Sequence, residues 1–274
     1  YGTFFGFLLI VIFFWILRPH TFMTARNWLN ITQQVSILCV VSFTMTVVMV
    51  GGDFDLSVGS MASLTGIIGA VLMQHGSPIL LAIGISLLAG LAGGILNGLL
   101  VTYARLSAFV ATLGTLTLFG GLALLTSDGK TLFGRSIPQI VGNFGRGSVP
   151  FFGEIHIPYL TLIALVVLIL VPILLRQTVV GRQLHAVGGN QEASRLAGVP
   201  VAKLRIMAFA INGIGAAVAG LMLVSRLSSA NPTQGEGVML NAIAAVFVGM
   251  TFSEEGVPQS FWNTNRSSHS WCSF

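Results

Sequence analysis

An all-α, polytopic membrane protein is the fold class this chain predicts, and three observations predict it. Apolar residues make up 54% of the sequence and charged residues only 8%, against about 25% charged in soluble domains. The apolar residues gather into several runs of about 20, the length a helix needs to cross a hydrocarbon core. Glycine occupies 33 of the 274 positions, and much of it lies inside those runs, where small residues let helices approach closely. A soluble enzyme is the wrong class.

About eight spans are expected. The first, Phe4–Leu17, lacks a basic start and a small-residue cleavage site, so it reads as a span and not as a cleavable signal. The chain begins at Tyr1 and not at Met, so its natural N-terminus is expected upstream. A polar link, Arg18–Asn30, leads to span two, Ile31–Val50. GGDFDLSVGS then leads into span three, which ends near Met73. After a tight turn at Gln74–Pro78, span four runs to about Tyr103, and after Arg105 span five covers Ala108–Leu125. Ser127–His156 is a long Gly/Pro-rich link with room for a short helix. Span six is Ile157–Leu175, span seven Ile206–Arg226, and span eight Val238–Phe252. Residues 1–258 form one transmembrane domain; 259–274 are polar, aromatic and aperiodic, and read as an aberrant or disordered tail.

The stretch between spans six and seven, Arg176–Arg205, carries five of the 13 Lys and Arg residues. Placing it inside follows the positive-inside rule and orients the rest by alternation. The two arginines of the Arg18–Asn30 link then fall outside, against the rule. A short helix fits Glu192–Leu196, with Gly188 and Gly189 breaking the chain before it and Gly198 and Pro200 stopping it. Ala193, Leu196 and Ala197 are expected on one face, and Glu192, Ser194 and Arg195 on the other. Such a helix suits a soluble partner; a solvated loop that only sets topology is the plainer reading.

Other polar residues stand near spans. Asp53 and Asp55 fit a broken helix beside a translocation path, with Ser57 and Gly59 allowing an irregular backbone. The local chemistry favours a plainer role, both at the membrane surface with Asp55 or Ser57 capping span three. Asn97 lies among Gly90, Gly94 and Gly98, and Asn212 beside Gly213, Gly215 and Gly220. Helix packing is the expected job of both clusters. Thr112, Thr115 and Thr117 can bond their own helix backbone. Arg226, Ser228 and Asn231 fit an outer gate, or equally a snorkelling Arg followed by a turn. GGDFDLSVGSMASLTG and NPTQGEGVMLNAIAAVFVG each set a polar stretch before a small-residue span, a loose hint of an internal repeat.

Several chemistries are excluded. LLTSDGKT lacks the first Gly of a phosphate loop and a preceding strand. The five His are dispersed without metal spacing, and the two Cys make no disulfide framework. The net charge of +5 is scattered and not gathered into a nucleic-acid stripe.

Three motifs resemble one family. Gly181, Arg182, Ala186, Gly188, Gly189, Asn190, Ala193, Ala197 and Gly198 are similar to the coupling loop of bacterial ABC-importer permeases for ribose, xylose and arabinose. Asp55-Leu-Ser-Val-Gly59 resembles a second signature of these permeases, with Asp53-Phe54 as a departure before it, and Arg226-Leu-Ser-Ser-Ala-Asn-Pro232 resembles a third. The resemblance implies a permease subunit in the bacterial inner membrane, paired with a second permease. It further implies docking of an ABC ATPase through Gly181, Arg182, Gly189, Asn190, Glu192, Arg195, Leu196 and Gly198. A periplasmic sugar-binding protein would deliver a monosaccharide; ATP and Mg would be bound by the ATPase, with no cofactor, metal or catalytic residue in this chain. Asp55, Ser57, Asn97, Asn212, Arg226, Ser228 and Asn231 are the candidates for the path or gate. Members of the family carry two further spans where the tail stands. The rival is an ion-coupled secondary transporter, which needs intramembrane ionisable residues; only Asp53 and Asp55 offer themselves.

Overall fold

Helix α11 (Val201–Leu227) runs through the centre of the bundle, and most other elements are placed by their contact with it. The structure is a computed structural model that describes residues 2–152 and 155–251. The tail beginning at Gln259 and the boundary at Pro258 lie outside the described residues.

The other helices are α1 (Gly2–Leu17), α2 (Pro19–Phe22), α3 (Ala25–Val50), α4 (Val58–Gln74), α5 (Ile79–Thr102), α6 (Ala108–Thr126), α7 (Gln139–Arg146), α8 (Tyr159–Gln177), α9 (Val179–Gly189), α10 (Gln191–Leu196) and α12 (Glu236–Thr251). Short strands β1 (Leu132–Phe133) and β4 (Ser229–Ala230) pair antiparallel, as do β2 (Ser148–Phe152) and β3 (Ile155–Pro158). Among the described residues, α3, α5, α6, α8 and α11 are long and apolar enough to cross a membrane. Helices α1, α4 and α12 are apolar but shorter. The all-α polytopic expectation therefore holds, with five full-length candidate spans among the described residues where about eight spans were expected.

One boundary differs from the sequence reading for an identifiable reason. The expected polar link Arg18–Asn30 is largely helical: Thr24 accepts a hydrogen bond from the Asn27 amide at 3.3 Å and starts α3 at Ala25. Its polar first turn follows the N-cap, not the hydropathy. The link 127–156 carries α7 and the β2–β3 hairpin.

Buried apolar side chains form three clusters. The largest joins α3, α4, α6, α8, α11 and α12; a second joins α3, α8, α9 and α11 near α10; a third lies under α7 and β4. On the outside, Leu80, Leu88, Phe109, Leu125, Val166 and Leu170 stand exposed. In water such a surface would aggregate; lipid accepts it.

The glycine faces act as expected. Gly90 and Gly94 of α5 abut the backbone of α11 at Gly213 and Phe209, and Gly98 abuts Ile206. A Cβ at Gly98 would stand 2.6 Å from the Ile206 Cα, so the antiparallel helices touch backbone to backbone. Thr112, Thr115 and Thr117 bond carbonyls of their own helix at 2.7, 3.3 and 2.7 Å.

Helix α4 is apolar but short. Its 17 residues make about 25 Å of helix, less than the hydrocarbon thickness of about 30 Å. The chain leaves α3 at Gly51, turns at Gly52 with φ +85°, and re-enters the bundle before α4 begins. Helix α12 also begins inside: Gly235, just before it, abuts the backbone of Gly59 at the start of α4, and the Gly235 amide donates to Ser63 Oγ at 2.9 Å. From there α4 runs toward α7 and α12 toward α10.

The α5–α11 contact predicts a sharp contrast between two glycines. Gly94→Leu should cost at least about 2 kcal/mol by forcing backbone apart. Gly84→Leu, with nothing within 4 Å of its Cβ, should leave the melting temperature in detergent unchanged. Equal melting temperatures for the two variants would refute the close contact.

Candidate functional site

The sequence candidates fall into three places, not one. The first is the re-entrant stretch between α3 and α4. Asp53 and Asp55 are only 8% and 2% exposed; Asp53 stays near the end of the bundle, beside Arg205 in the second turn of α11, whereas Asp55 departs from the expected membrane-surface place by meeting Asn212 in mid-helix. Asp53 is held by Arg205 of α11 through two hydrogen bonds, 2.7 Å from Nε and 2.6 Å from Nη2. Asp55 Oδ1 accepts from the Ser57 amide at 2.9 Å and the Ser57 hydroxyl at 2.6 Å, and its Oδ2 accepts from Asn212 Nδ2 at 2.8 Å. Asn97 Nδ2 of α5 donates to Ser57 Oγ at 2.8 Å. Of the two expected caps, Asp55 takes the backbone amide of Ser57 just ahead of α4, and Ser57 does not cap. Ser57 sits at the N-cap of α4 without a side-chain cap bond, because its hydroxyl is committed to Asp55.

This network joins three helices through groups that cannot stay buried alone. Asn212 lies eleven residues into α11, about 16 Å along its axis, so Asp55 is level with the middle of the bundle and not with its end. Asn97 and Asn212 do more than pack: they are the amides that admit a carboxylate there. The carbonyl oxygens of both are buried without a partner among the described residues. Sequence reading left the role of Asp53 open and read Arg205 only as a topology charge. Nothing local links residues so far apart.

The second place is the far end of α11. Arg226 is half-buried, and no side chain among the described residues pairs with it. Ser228 takes the left-handed conformation at φ 49° and ends the helix. Asn231 Oδ1 accepts from the Thr233 amide and hydroxyl, each at 2.9 Å, and Asn231 Nδ2 donates to Thr131 at 3.0 Å. These residues lie together near β1 and α7, apart from the Asp55 network. Thr131 and Gln234, whose Oε1 accepts from the Asn231 amide at 3.2 Å, belong here too. Their ordinary loop composition carried no signal.

The third place is the polar run. The break expected at Gly188 and Gly189 falls at Asn190, because both glycines complete α9. Gly188 abuts the end of α3 at Val50, and Gly181 abuts the carbonyls of Leu174 and Leu175, so only glycine fits at either. Asn190 ends α9 and accepts from the Ala193 amide at 2.9 Å to start α10. Gly198 turns the chain away at φ +80°. Arg182 and Gly189 are exposed.

Almost all of α10 is exposed, Glu192 and Arg195 as well as the expected apolar face. Ser194 is the buried residue, while Ala193, Ala197 and Leu196 face out, Leu196 at 79% exposure. A six-residue helix anchored at both ends rests on one small side chain and leaves its apolar face free. Beside it Arg195 donates to Glu192 at 2.6 and 3.2 Å. The guanidinium holds the Glu192 carboxyl below its ordinary pKa, so the pair stays ionised at neutral pH.

Breaking the buried pair should be costly and repairable. Asp53→Asn strands Arg205 and should destabilise the protein by about 3 kcal/mol. The exchange Asp53→Arg with Arg205→Asp should recover part of the loss in a melting experiment. No recovery would mean that the pair acts through its surroundings and not through its charges.

Comparison with known proteins bears on all three places. The profile of the family described as branched-chain amino acid transport system / permease component matches residues 27–258. The ribose import permease of Bacillus subtilis is 38% identical over 250 residues, 91% of this chain and 76% of that protein. The ribose import permease of Escherichia coli K12 is 36% identical over 233 residues, 84% of this chain and 71% of that one. The D-allose transport permease of the same strain is 34% identical over 252 residues, 92% and 75% of the two chains. No solved structure matches. The match spans α3 to α12 and takes in every candidate residue, and by it the chain belongs to the branched-chain amino acid transport system permease-component family of membrane proteins.

Proposed function

We propose that this chain is the membrane-spanning subunit of an ABC importer for a monosaccharide, driven by ATP hydrolysis in a separate subunit. The relatives named for ribose and allose support the substrate class. The observation that carries the coupling role is the free apolar face of α10, with Leu196 79% exposed beside an ion pair. An aliphatic side chain held out on a braced helix is a docking feature. In this reading Gly181, Arg182, Gly189, Asn190, Glu192, Arg195, Leu196 and Gly198 build or present the ATPase contact.

The rest follows from that assignment. Residues 1–258 form the permease domain, α10 faces the cytoplasm, and α7 with the two strand pairs faces the periplasm, where a sugar-binding protein docks. Five long and three shorter apolar helices make eight segments that cross or enter the bilayer of the inner membrane. A second permease subunit completes the path. ATP and Mg stay with the ATPase, and this chain contributes no cofactor and no catalytic group of its own. Asp55, Ser57, Asn97 and Asn212 brace the path from within; Arg226, Ser228 and Asn231 stand at its outer mouth. Coupling travels from α10 and α9 to the end of α3 through Gly188 against Val50, and from α11 through Arg205 to Asp53.

The decisive experiment is uptake of radiolabelled ribose, allose and arabinose into proteoliposomes, with and without the ATPase and the binding protein. Uptake that needs both partners is expected. Uptake without the ATPase, abolished by an uncoupler, would establish an ion-driven carrier instead. Leu196→Asp should reduce co-purification of the ATPase and ATP-driven uptake at least about tenfold, as loss of an interface anchor does, while the melting temperature stays unchanged. Unchanged uptake in this variant would refute docking through α10.

A further inference from the structure

The two breaks in the bundle are versions of one another. Asp55-Leu-Ser57-Val-Gly59 precedes α4 and Asn231-Pro-Thr233-Gln-Gly235 precedes α12, sharing the pattern Asp/Asn-x-Ser/Thr-x-Gly. Their hydrogen bonds match. Asp55 Oδ1 accepts from the Ser57 amide and hydroxyl at 2.9 and 2.6 Å, and Asn231 Oδ1 accepts from those of Thr233 at 2.9 and 2.9 Å. The same sequence spacing separates Ala25 from Val201, where α3 and α11 start, and Gly52 from Ser228, both at positive φ. Contacts are reciprocal as well: Gly59 meets Gly235 and Met239, and Gly235 meets Gly59 and Ser63. An inverted repeat with its axis between Gly59 and Gly235 accounts for all of this.

The copies differ in how they are fastened. In the break at Gly52–Gly59 the polar side chains of Asp53, Asp55 and Ser57 are buried and tied to two other helices by Arg205–Asp53, Asn212–Asp55 and Asn97–Ser57. Charged hydrogen bonds out of water are the strong ones. The break at Ser228–Gln234 is held by the pairing of two strand residues, by Ala230 buried among Ile67, Ala70, Ile137 and Val224, and by the exposed Asn231–Thr131 bond, with no charged hydrogen bond among the described residues. Ser228 holds a left-handed φ that favours glycine, and its hydroxyl, like Gln234 Nε2, is buried without a partner among the described residues. Ser228 also borders an open bowl of about 770 Å³ lined by Gln139, Asn143 and Arg146, so there is room to move.

We propose that Ser228–Gln234 is the gate of the transport path, pivoting on Gly235, while its repeat partner Gly52–Gly59 stays fixed. The assignment rests on the importer reading. Opening unzips β1 from β4, breaks the Thr131 bond, relieves Ser228 and hydrates the two orphaned groups. Gly235 stays seated against Gly59 and Ser63, so α12 keeps its place. The groups released are a hydroxyl and an amide, which suit a neutral, hydroxyl-rich solute passing the gate.

Two cysteine pairs test this in the full chain, reconstituted with its ATPase and binding protein, with Cys39 and Cys272 changed to Ser. Phe133→Cys with Ser229→Cys bridges β1 to the gate at directly opposed ladder positions. Phe54→Cys with Phe247→Cys, whose rings are 6.0 Å apart, bridges the fixed break to α12 through a short bis-thiosulfonate. The readout is uptake of radiolabelled ribose, allose and arabinose. Closing the first bridge should cut uptake at least about tenfold, reversed by dithiothreitol, and the second should change it less than about twofold, since only the first ties down a moving element. Undiminished uptake with the first bridge closed would overturn the gate, and so would equal inhibition by both bridges. If the reduced proteins show no ATP-driven uptake of any of the three sugars while the parent chain does, the cysteine positions themselves are essential and a fixed Phe54 site is refuted. If the parent chain also shows none, the importer reading fails and the gate fails with it.

Discussion

A carboxylate in the interior of a membrane bundle needs partners, and the placing of Asp53 and Asp55 depends on supplying them. Asp53 requires Arg205; Asp55 requires Ser57, Asn97 and Asn212. Those residues belong to α4, α5, α11 and the turn between them, so meeting the charge's demand brings the helices into one arrangement. The cost of an unpaired charge out of water is what makes this arrangement selective over alternatives with the same apolar contacts. Glycine makes it reachable. With a side chain at Gly94 or Gly213, α5 and α11 would stand too far apart for Asn97 and Asn212 to share one network.

The same constraint explains why α4 is short. A chain that must bring a carboxylate to the middle of the bundle cannot do so on a continuous helix of apolar residues. It ends α3, turns at Gly52, and starts again from within. The irregular backbone is tolerated because its polar groups face protein and not lipid. The second break near Gly235 meets the requirement with a neutral Asn231, whose partners Thr131 and Thr233 are exposed, and with Ala230 packed in the core.

The run after α8 works on a different principle. Its glycines are sites of close approach more than hinges, since Gly181 and Gly188 let α9 lie against α8 and α3. The result is a short helix braced from behind, with Leu196 offered outward. Behind it, α9 packs directly on α3 and α11.

Class, the places of the long apolar helices and the helical character of the polar run were readable from the chain alone, because hydrophobic run length and glycine punctuation are local properties that a bilayer enforces residue by residue. The packing roles of Gly90, Gly94 and Gly98, and the self-bonded Thr112, Thr115 and Thr117, were legible for the same reason. Only the tertiary structure decided that Asp53 and Asp55 are buried, that Arg205 is the partner of one and Asn212 of the other, and that α10 turns its apolar face outward. Each of these is set by which residues meet across distances of more than a hundred positions. Free energy of burying a charge depends on that meeting and not on the neighbours in sequence.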